Sequence, residues 1–219
     1  MYKVNRGCVD IEFIVVGPIQ NNVYFISDGA SLIVVDPGDE LEAIKRALGS
    51  RVPDAIVLTH YHYDHVGQVA ALRELTGAQV IASAVDAPLI DGRSAGPAGH
   101  PEVPRCPIDA EVSDGDVVQI GNMAWKALLT PGHTPGSMCL YLDPSFGLRK
   151  DGEPVLISGD TLFRGSIGRT DFADGSMADM RASLRKLAFL PDETVVLPGH
   201  NDPTLIGAER ERVFARFAS

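Results

Sequence analysis

The stretch Thr59-His60-Tyr61-His62-Tyr63-Asp64-His65 places four potential metal ligands, His60, His62, Asp64 and His65, within six residues. It directly follows the apolar run Ala55-Ile56-Val57-Leu58. A short, wholly apolar run marks a strand covered on both faces, so the motif lies where a buried strand gives way to a helix. Side chains repeat every two residues in extended chain, which turns His60 and His62 to the same side. Asp64 and His65 then come round the turn to a second position, so one loop can serve two adjacent ions. Imidazole and carboxylate suit zinc, iron or manganese. A buried histidine cluster without metal is hard to satisfy, because each ring needs partners and protonation brings mutual repulsion. At this chain's own His and Asp frequencies the pattern arises at a given start about once in a million.

Upstream, residues 11–16, 23–27 and 32–35 are rich in β-branched residues and read as strands, with Asn21-Asn22 and Asp28-Gly29 as the turns between them. Asp36-Pro37-Gly38 is a sharp stop, after which Asp39 is expected to cap a helix with Leu41, Ile44 and Leu48 on its apolar side. Downstream, Val66, Val69, Leu72 and Leu75 form one helical stripe that ends at Gly77. Residues 79–82, 117–120, 124–129, 138–142, 155–158 and 194–197 read as further strands. A helix begins near Ser176, with Asp179 placed as in a capping box and Met177, Met180, Leu184 and Leu187 as its core stripe. A last helix carries Val213, Phe214 and Phe217. The Gly- and Pro-rich segment 91–109 is a long surface loop, either the rim of a site or a passive connection. Strands alternating with helices in both halves make an α/β chain with one sheet or two.

Three other strands end in candidate ligands. Thr130-Pro131-Gly132-His133 and Leu197-Pro198-Gly199-His200 each place a histidine just past a strand, and Ser158-Gly159-Asp160 places a carboxylate there. Sites in open sheets are built at such ends. Singly, each is an ordinary turn residue; together with the first cluster they read as one site, in which Asp160 has two oxygens and can bridge two cations. His100, in the Gly/Pro-rich segment, has no such context.

The charge balance is 19 Lys and Arg against 29 Asp and Glu, a net of −10 with neutral histidine. A field of that sign repels phosphate backbones and anionic lipid, so nucleic acid and membrane surfaces are not expected partners. No apolar run approaches bilayer length, and Asp10 and Glu12 interrupt any leader-like core near the start. Cys8, Cys106 and Cys139 are scattered and odd in number, which suits core or surface thiols in a reducing, cytoplasmic setting.

This constellation resembles the metallo-β-lactamase superfamily over nearly the whole chain. The carriers are Asp36-Pro37-Gly38, the 60–65 motif, His133, Asp160 and His200, in family order. The resemblance implies a four-layer αββα sandwich, with two mixed sheets and helices on the outer faces, forming a single domain over residues 1–219. It implies two divalent metal ions, zinc in the first instance, with iron or manganese as alternatives. His60, His62 and His133 would bind one ion, Asp64, His65 and His200 the other, and Asp160 would bridge; Asp64 and Asp160 are the carboxylates expected at the reacting centre. Asp36 would stand behind the ligands, or be a plain turn aspartate.

Gly159-Asp160-Thr161-Leu162-Phe163, Gly168-Arg169-Thr170-Asp171-Phe172 and residues 130–137 are similar to the glyoxalase II group, the hydroxyacylglutathione hydrolases. The closer likeness is to short bacterial glyoxalase II-like proteins, without a separate helical substrate domain. The resemblance implies a thioesterase acting on a small-molecule S-acyl thiol such as S-lactoylglutathione. Hydroxide generated between the ions would attack the carbonyl, and a thiolate leaving group needs little acid help. Arg169 would contact a carboxylate of the glutathione moiety, or pair internally with Asp171; Arg164 is the second candidate for substrate contact. Iron-dependent persulfide dioxygenases share the 168–172 stretch, and lactone or β-lactam hydrolases share the superfamily; these are the competing readings. Oligomeric state is not encoded in any motif.

Overall fold

The apolar runs after residues 31 and 54 become neighbouring parallel strands in the computed structural model, which describes residues 1–144 and 152–218. They are β4 and β5 of a seven-stranded sheet: β1 (Tyr2–Val4), β2 (Asp10–Val16), β3 (Asn21–Ser27), β4 (Leu32–Val35), β5 (Ala55–Val57), β6 (Gln79–Ser83) and β7 (Ala110–Val112), in that order across the sheet. The first four strands are antiparallel, and β4 to β7 are parallel. A second, six-stranded sheet holds β8 (Val117–Ile120), β9 (Met123–Leu129), β10 (Met138–Leu142), β11 (Val155–Gly159), β14 (Val195–Pro198) and β15 (Thr204–Leu205). Between β11 and β14 a small hairpin stands apart, formed by β12 (Leu162–Phe163) and β13 (Ser166–Ile167).

Alternation along the strands sorts the apolar side chains into three cores. The inner faces of both sheets meet around Trp125, Tyr24, Ile33, Leu140 and Ile157. The outer face of the first sheet packs on α1 (Leu41–Leu48), α2 (Tyr63–Val66), α3 (Val69–Thr76) and α4 (Ala87–Asp91), through Ile44, Val66, Leu72 and Ile90. The outer face of the second packs on α5 (Met177–Leu187) and on the C-terminal helical segment, through Met180, Leu184, Ile206 and Val213. The result is the expected αββα sandwich. Among the described residues no helix is long and apolar enough to cross a membrane.

Several local expectations are corrected. Asn21 and Asn22 are not turn residues; they open β3 and are buried. The turn lies earlier, closed by Gln20 N on Gly17 O. Asp39 does not cap α1. The cap position is Glu40, in the left-handed region at φ 51°, with its amide held by Asp39 Oδ1. The stripe from Val66 to Leu75 is two helices, because the Gln68 amide is taken by Pro37 O, 2.9 Å away, from the Asp-Pro-Gly turn. Leu75 consequently faces solvent, whereas Gly77 does end α3 in the left-handed conformation. Asp91, expected to open the Gly/Pro-rich loop, is instead the last residue of α4. The final helix is interrupted: α6 (Ile206–Glu209) passes through a π-helical turn (Arg210–Phe214) into α7 (Ala215–Phe217). Half of the capping box expected at α5 forms: Ser176 Oγ accepts from the Asp179 amide, while the Ser176 amide donates to Gly132 O (2.8 Å) instead of to the Asp179 carboxylate.

Candidate metal centre

Five strand ends converge at one edge of the sandwich. Asp36 follows β4, the 59–65 loop follows β5, the 130–137 turn joins β9 to β10, Asp160 follows β11 and His200 follows β14. Backbone bonds stitch the two sheets together here. The Met138 amide donates to Thr59 O (2.9 Å), and the Asn22 amide donates to Gly199 O (2.7 Å). The Asn22 side-chain amide donates to Pro198 O and Asn201 O, and Tyr24 Oη donates to Pro198 O at 2.8 Å. The ligand-bearing loops are therefore held to a rigid frame.

The seven candidates meet. Ligand atoms of His60, His62 and His133 lie within 4.8 Å of one another, as do those of His60, His65 and Asp160, and those of Asp64, His65 and His200. His62 Nδ1 and His133 Nε2 are 2.8 Å apart. His200 Nε2 is 3.3 Å from Asp64 Oδ2 and 3.5 Å from Asp160 Oδ2, while His133 Nε2 is 3.4 Å from the same Asp160 oxygen. Asp160 thus lies between the two histidine groups, as its place in the sequence suggested.

Four of the five rings are aimed from behind. Asp36 Oδ2 is 2.9 Å from His65 Nδ1; the carboxylate only accepts, so Nδ1 carries the proton and Nε2 faces inward. The Thr59 hydroxyl donates to Asp36 Oδ2 (2.6 Å) and lies 3.0 Å from His60 Nδ1, so its oxygen can accept a hydrogen bond from that ring's Nδ1–H. His133 Nδ1 donates to Arg169 O (2.8 Å), and His200 Nδ1 donates to Gln20 O (3.1 Å). Partners of this kind fix the tautomer and orientation of metal-binding imidazoles.

The electrostatics favour a cation at the centre. Burial, then the neighbouring imidazoles, holds His60 well below the usual imidazole pKa and pushes His62 down to about 2, so both are neutral donors. Burial alone would raise Asp64, but His65 and His200 outweigh it and keep the carboxylate ionised. At His65 burial opposes charge, yet the Asp160, Asp64 and Asp36 carboxylates overcome it and raise the pKa well above the ordinary value. A field that stabilises imidazolium in a dry pocket stabilises a divalent cation by the same Coulomb attraction.

The donor set fits such an ion. His60 Nε2, His65 Nε2 and Asp160 Oδ1 are buried and have no hydrogen-bond partner. An unsatisfied buried polar group costs about 1–3 kcal/mol, so three converging ones need a common partner. Gly199 leaves the space: a methyl there would strike Asp160 Oδ1 and come within 2.7 Å of His65 Cε1.

The centre opens into a cavity of about 600 Å³, lined by Ile19, Phe163, Ile167 and Phe172 and by loop residues Pro97 to Pro101. Residues 97–101 of the Gly/Pro-rich segment are therefore a rim, while Val103, Cys106 and Ile108 pack against the outer core of the first sheet. The rim carries His100 onto His62, with ring centroids 5.3 Å apart, a placement that no pattern in the sequence announced. Arg169 lines the cavity and forms a two-pronged pair with Asp171, both contacts at 2.9 Å. Arg164 is not among the lining residues; it pairs with Asp202 at 2.8 Å. Asp86 was missed altogether. It is buried, and its Oδ2 accepts from the Tyr61 amide (3.1 Å) and the Thr134 hydroxyl (2.9 Å), tying the two histidine loops together. Its position just before α4 looks like a helix cap, but its side chain makes no capping bond.

Comparison with known proteins agrees with this geometry. Residues 16–200 match the Metallo-beta-lactamase superfamily. A protein of Aquifex aeolicus is 41% identical over 213 residues, covering 95% of this chain and 96% of that one. A hydroxyacylglutathione hydrolase of Pseudomonas entomophila is 37% identical over 186 residues, covering 82% of this chain and 61% of its own length. Among solved structures, the BLEG-1 B3 metallo-beta-lactamase superposes with a TM-score of 0.81 at 34% identity, covering 93% of this chain and 98% of that one. TTHA1623, solved in a di-iron-bound form, superposes with a TM-score of 0.75 at 33% identity, covering 92% and 98%. The converging strand ends, the donor set and these likenesses lead to one conclusion: the chain belongs to the metallo-beta-lactamase superfamily.

Proposed function

We propose that this chain is a metal-dependent hydrolase of thioesters, working as a single domain on a small S-acyl thiol. The observation that carries the reading is the convergence of three buried ligand atoms that lack a hydrogen bond, on His60, His65 and Asp160, beside an apolar cavity. His60, His62 and His133 would hold one divalent ion, Asp64, His65 and His200 a second, with Asp160 shared; zinc, iron and manganese all suit these donors. Such ions, when bound, supply Lewis acidity and an activated water at neutral pH.

The protein's own residues supply the rest. Asp36, through His65 and Thr59, fixes the inward-facing ring nitrogens before any substrate arrives. Ile19, Phe163, Ile167 and Phe172 offer apolar contact beside the reacting carbonyl. Tyr61 Oη donates to Asp174 Oδ2 at 2.6 Å, and burial together with that carboxylate raises its pKa, so it stays protonated and is no nucleophile. A thiolate leaves without a proton from a side chain, which favours thioesters over amides at this site. The 37% identity to a hydroxyacylglutathione hydrolase supports the same choice.

The test is thiol release from a panel of thioesters, S-lactoylglutathione included, by metal-loaded and by chelated protein. Metal-dependent release is the expected result, lost in His62→Ala and Asp160→Ala proteins that remain folded. No release from any thioester by metal-loaded protein would refute the reading. Oxygen uptake with glutathione persulfide, in place of hydrolysis, would replace it with the dioxygenase reading raised by the 168–172 stretch.

A further inference from the structure

His62 is the exception among the ligand rings. His60, His65, His133 and His200 each have their second nitrogen held from behind by an oxygen. His62 turns Nδ1 toward His133 Nε2, and among the described residues its own Nε2 makes no hydrogen bond. The χ2 torsion of a histidine is soft, so the aim of His62 Nδ1 depends on what packs against the ring. Other rings do. Tyr61 and Phe172 meet it edge-on, with centroids 4.9 and 5.3 Å away, and His100 lies nearly parallel to it, 26° between the planes. His100 is itself fixed. Its ring leans on Tyr61 at 4.9 Å, and its Nδ1 donates to Pro101 O at 3.0 Å. Its Nε2 is buried and makes no hydrogen bond, so contact between ring faces, not a polar partner, places that side of the ring. Its main chain closes a turn: the His100 amide donates to Pro97 O at 3.1 Å, with Gly99 at φ 86° in the position where such a turn requires a positive φ. A few residues on, Cys106 is buried in the outer core and its amide donates to Ile90 O at 3.2 Å, which anchors the segment.

We infer that His100 is a positioning residue for His62: by stacking on that ring it supplies the restraint that a hydrogen bond supplies at the other four. This rests on the assignment of His60, His62 and His133 to one ion, and is independent of the choice of thioesters as substrates. Stepwise zinc titration of chelated protein against a chromophoric chelator tests it on wild type, His62→Ala, His100→Ala, His100→Leu and His100→Phe. The binding step that disappears in His62→Ala marks the ion concerned. In His100→Ala that step should weaken about tenfold, the low end of what losing an outer partner of a ligand costs, while the other step stays within about twofold of wild type. His100→Leu fills the space without a flat ring face and should be as weak as His100→Ala, which keeps the test open should the smaller side chain impair folding. His100→Phe keeps the ring face and drops the unbonded buried nitrogen, so it should return the step to within about threefold of wild type. A role confined to supporting the fold would move both steps together and would not distinguish Phe from Leu. Wild-type zinc affinity in His100→Ala and His100→Leu, both steps weakened alike, or a His100→Phe protein no better than His100→Leu overturns the inference and leaves the metal centre standing. A wild type that takes up no zinc sinks the metal reading, and the inference with it.

Discussion

Asp36 stands 2.9 Å from His65 Nδ1, with its own backbone in the left-handed region at φ 49°. The same side chain takes both the amide (2.8 Å) and the hydroxyl (2.6 Å) of Thr59, so one buried carboxylate aims His65 directly and His60 through its neighbour. A non-glycine residue with this backbone persists only where its surroundings over-determine it, and here Asn21 Nδ2 donates to Asp36 O at 2.8 Å.

Replacing Asp36 therefore acts at the metal without touching it. Asp36→Asn keeps the volume but turns an NH₂ toward either Thr59 or His65, and the His65 ring loses its fixed tautomer. Metal affinity should fall by about 10- to 100-fold, the usual effect of removing such a partner. Asp36→Ala strands three buried donors and should also cost about 3 kcal/mol of stability. Chelator competition and urea unfolding measure the two effects separately; wild-type metal affinity in Asp36→Asn would contradict the role assigned here.

Gly199 is a matter of space. A methyl at this position strikes Asp160 Oδ1 and presses on His65 Cε1, both at the heart of the donor set. Its φ is not in the left-handed region, so backbone strain is not at issue. Gly199→Ala should fold with near-native circular dichroism and lose most of its bound metal by elemental analysis. Full metal content in a folded Gly199→Ala protein would show that Asp160 and His65 are not both ligands.

The parts of this site that were legible in the sequence share one property: they are local. The 59–65 motif, the Pro-Gly-His turns and the Gly-Asp step each sit directly behind an apolar strand, and strand ends are where sites are built. What stayed hidden depends on partners distant along the chain. Asn22 resembles a turn residue, yet its amide serves two carbonyls of the His200 loop. Asp86 resembles a helix cap and instead joins two loops. Gly67 and Gln68 sit inside a continuous apolar stripe, and only the Pro37 carbonyl shows why the helix stops there. His100 lies in a segment with no periodicity to read.

Loss of the ions should be visible in stability. Ligands that bind only the folded state stabilise it by about 4 kcal/mol at a thousandfold excess over Kd. For a chain of this size that corresponds to roughly 8–16 °C in Tm. Chelation should lower Tm by that order and reloading should restore it. His62→Ala and His200→Ala, on opposite sides of Asp160, should each lose one ion of two while keeping the other. Loss of both ions from either variant would show a single coupled centre instead of two separable sites, and retention of both would remove that histidine from the ligand set.

Asp86 makes the last prediction, a dependence on pH with a definite sign. Burial pushes its carboxyl up to about 7 from an ordinary 3.8, against the Thr134 hydroxyl and the Tyr61 and Gly136 amides, which favour the charged form. Between about pH 4 and pH 7 the folded protein retains a proton that the unfolded chain releases, so this group's contribution is largest below pH 4 and is lost as pH rises through 7. The full swing is on the order of 4 kcal/mol, at 1.36 kcal/mol per pKa unit. Above pH 7 both states are ionised and the slope vanishes. Asp86→Asn has no such titration, so its stability relative to wild type should climb between pH 4 and 7 and then level off, whatever its absolute value. Urea midpoints for the two proteins at pH 4.5, 6 and 8, under identical metal conditions, make the comparison. A difference that stays flat across that range would mean that Asp86 is already ionised in the folded protein, its charge carried by the Tyr61 amide and the Thr134 hydroxyl.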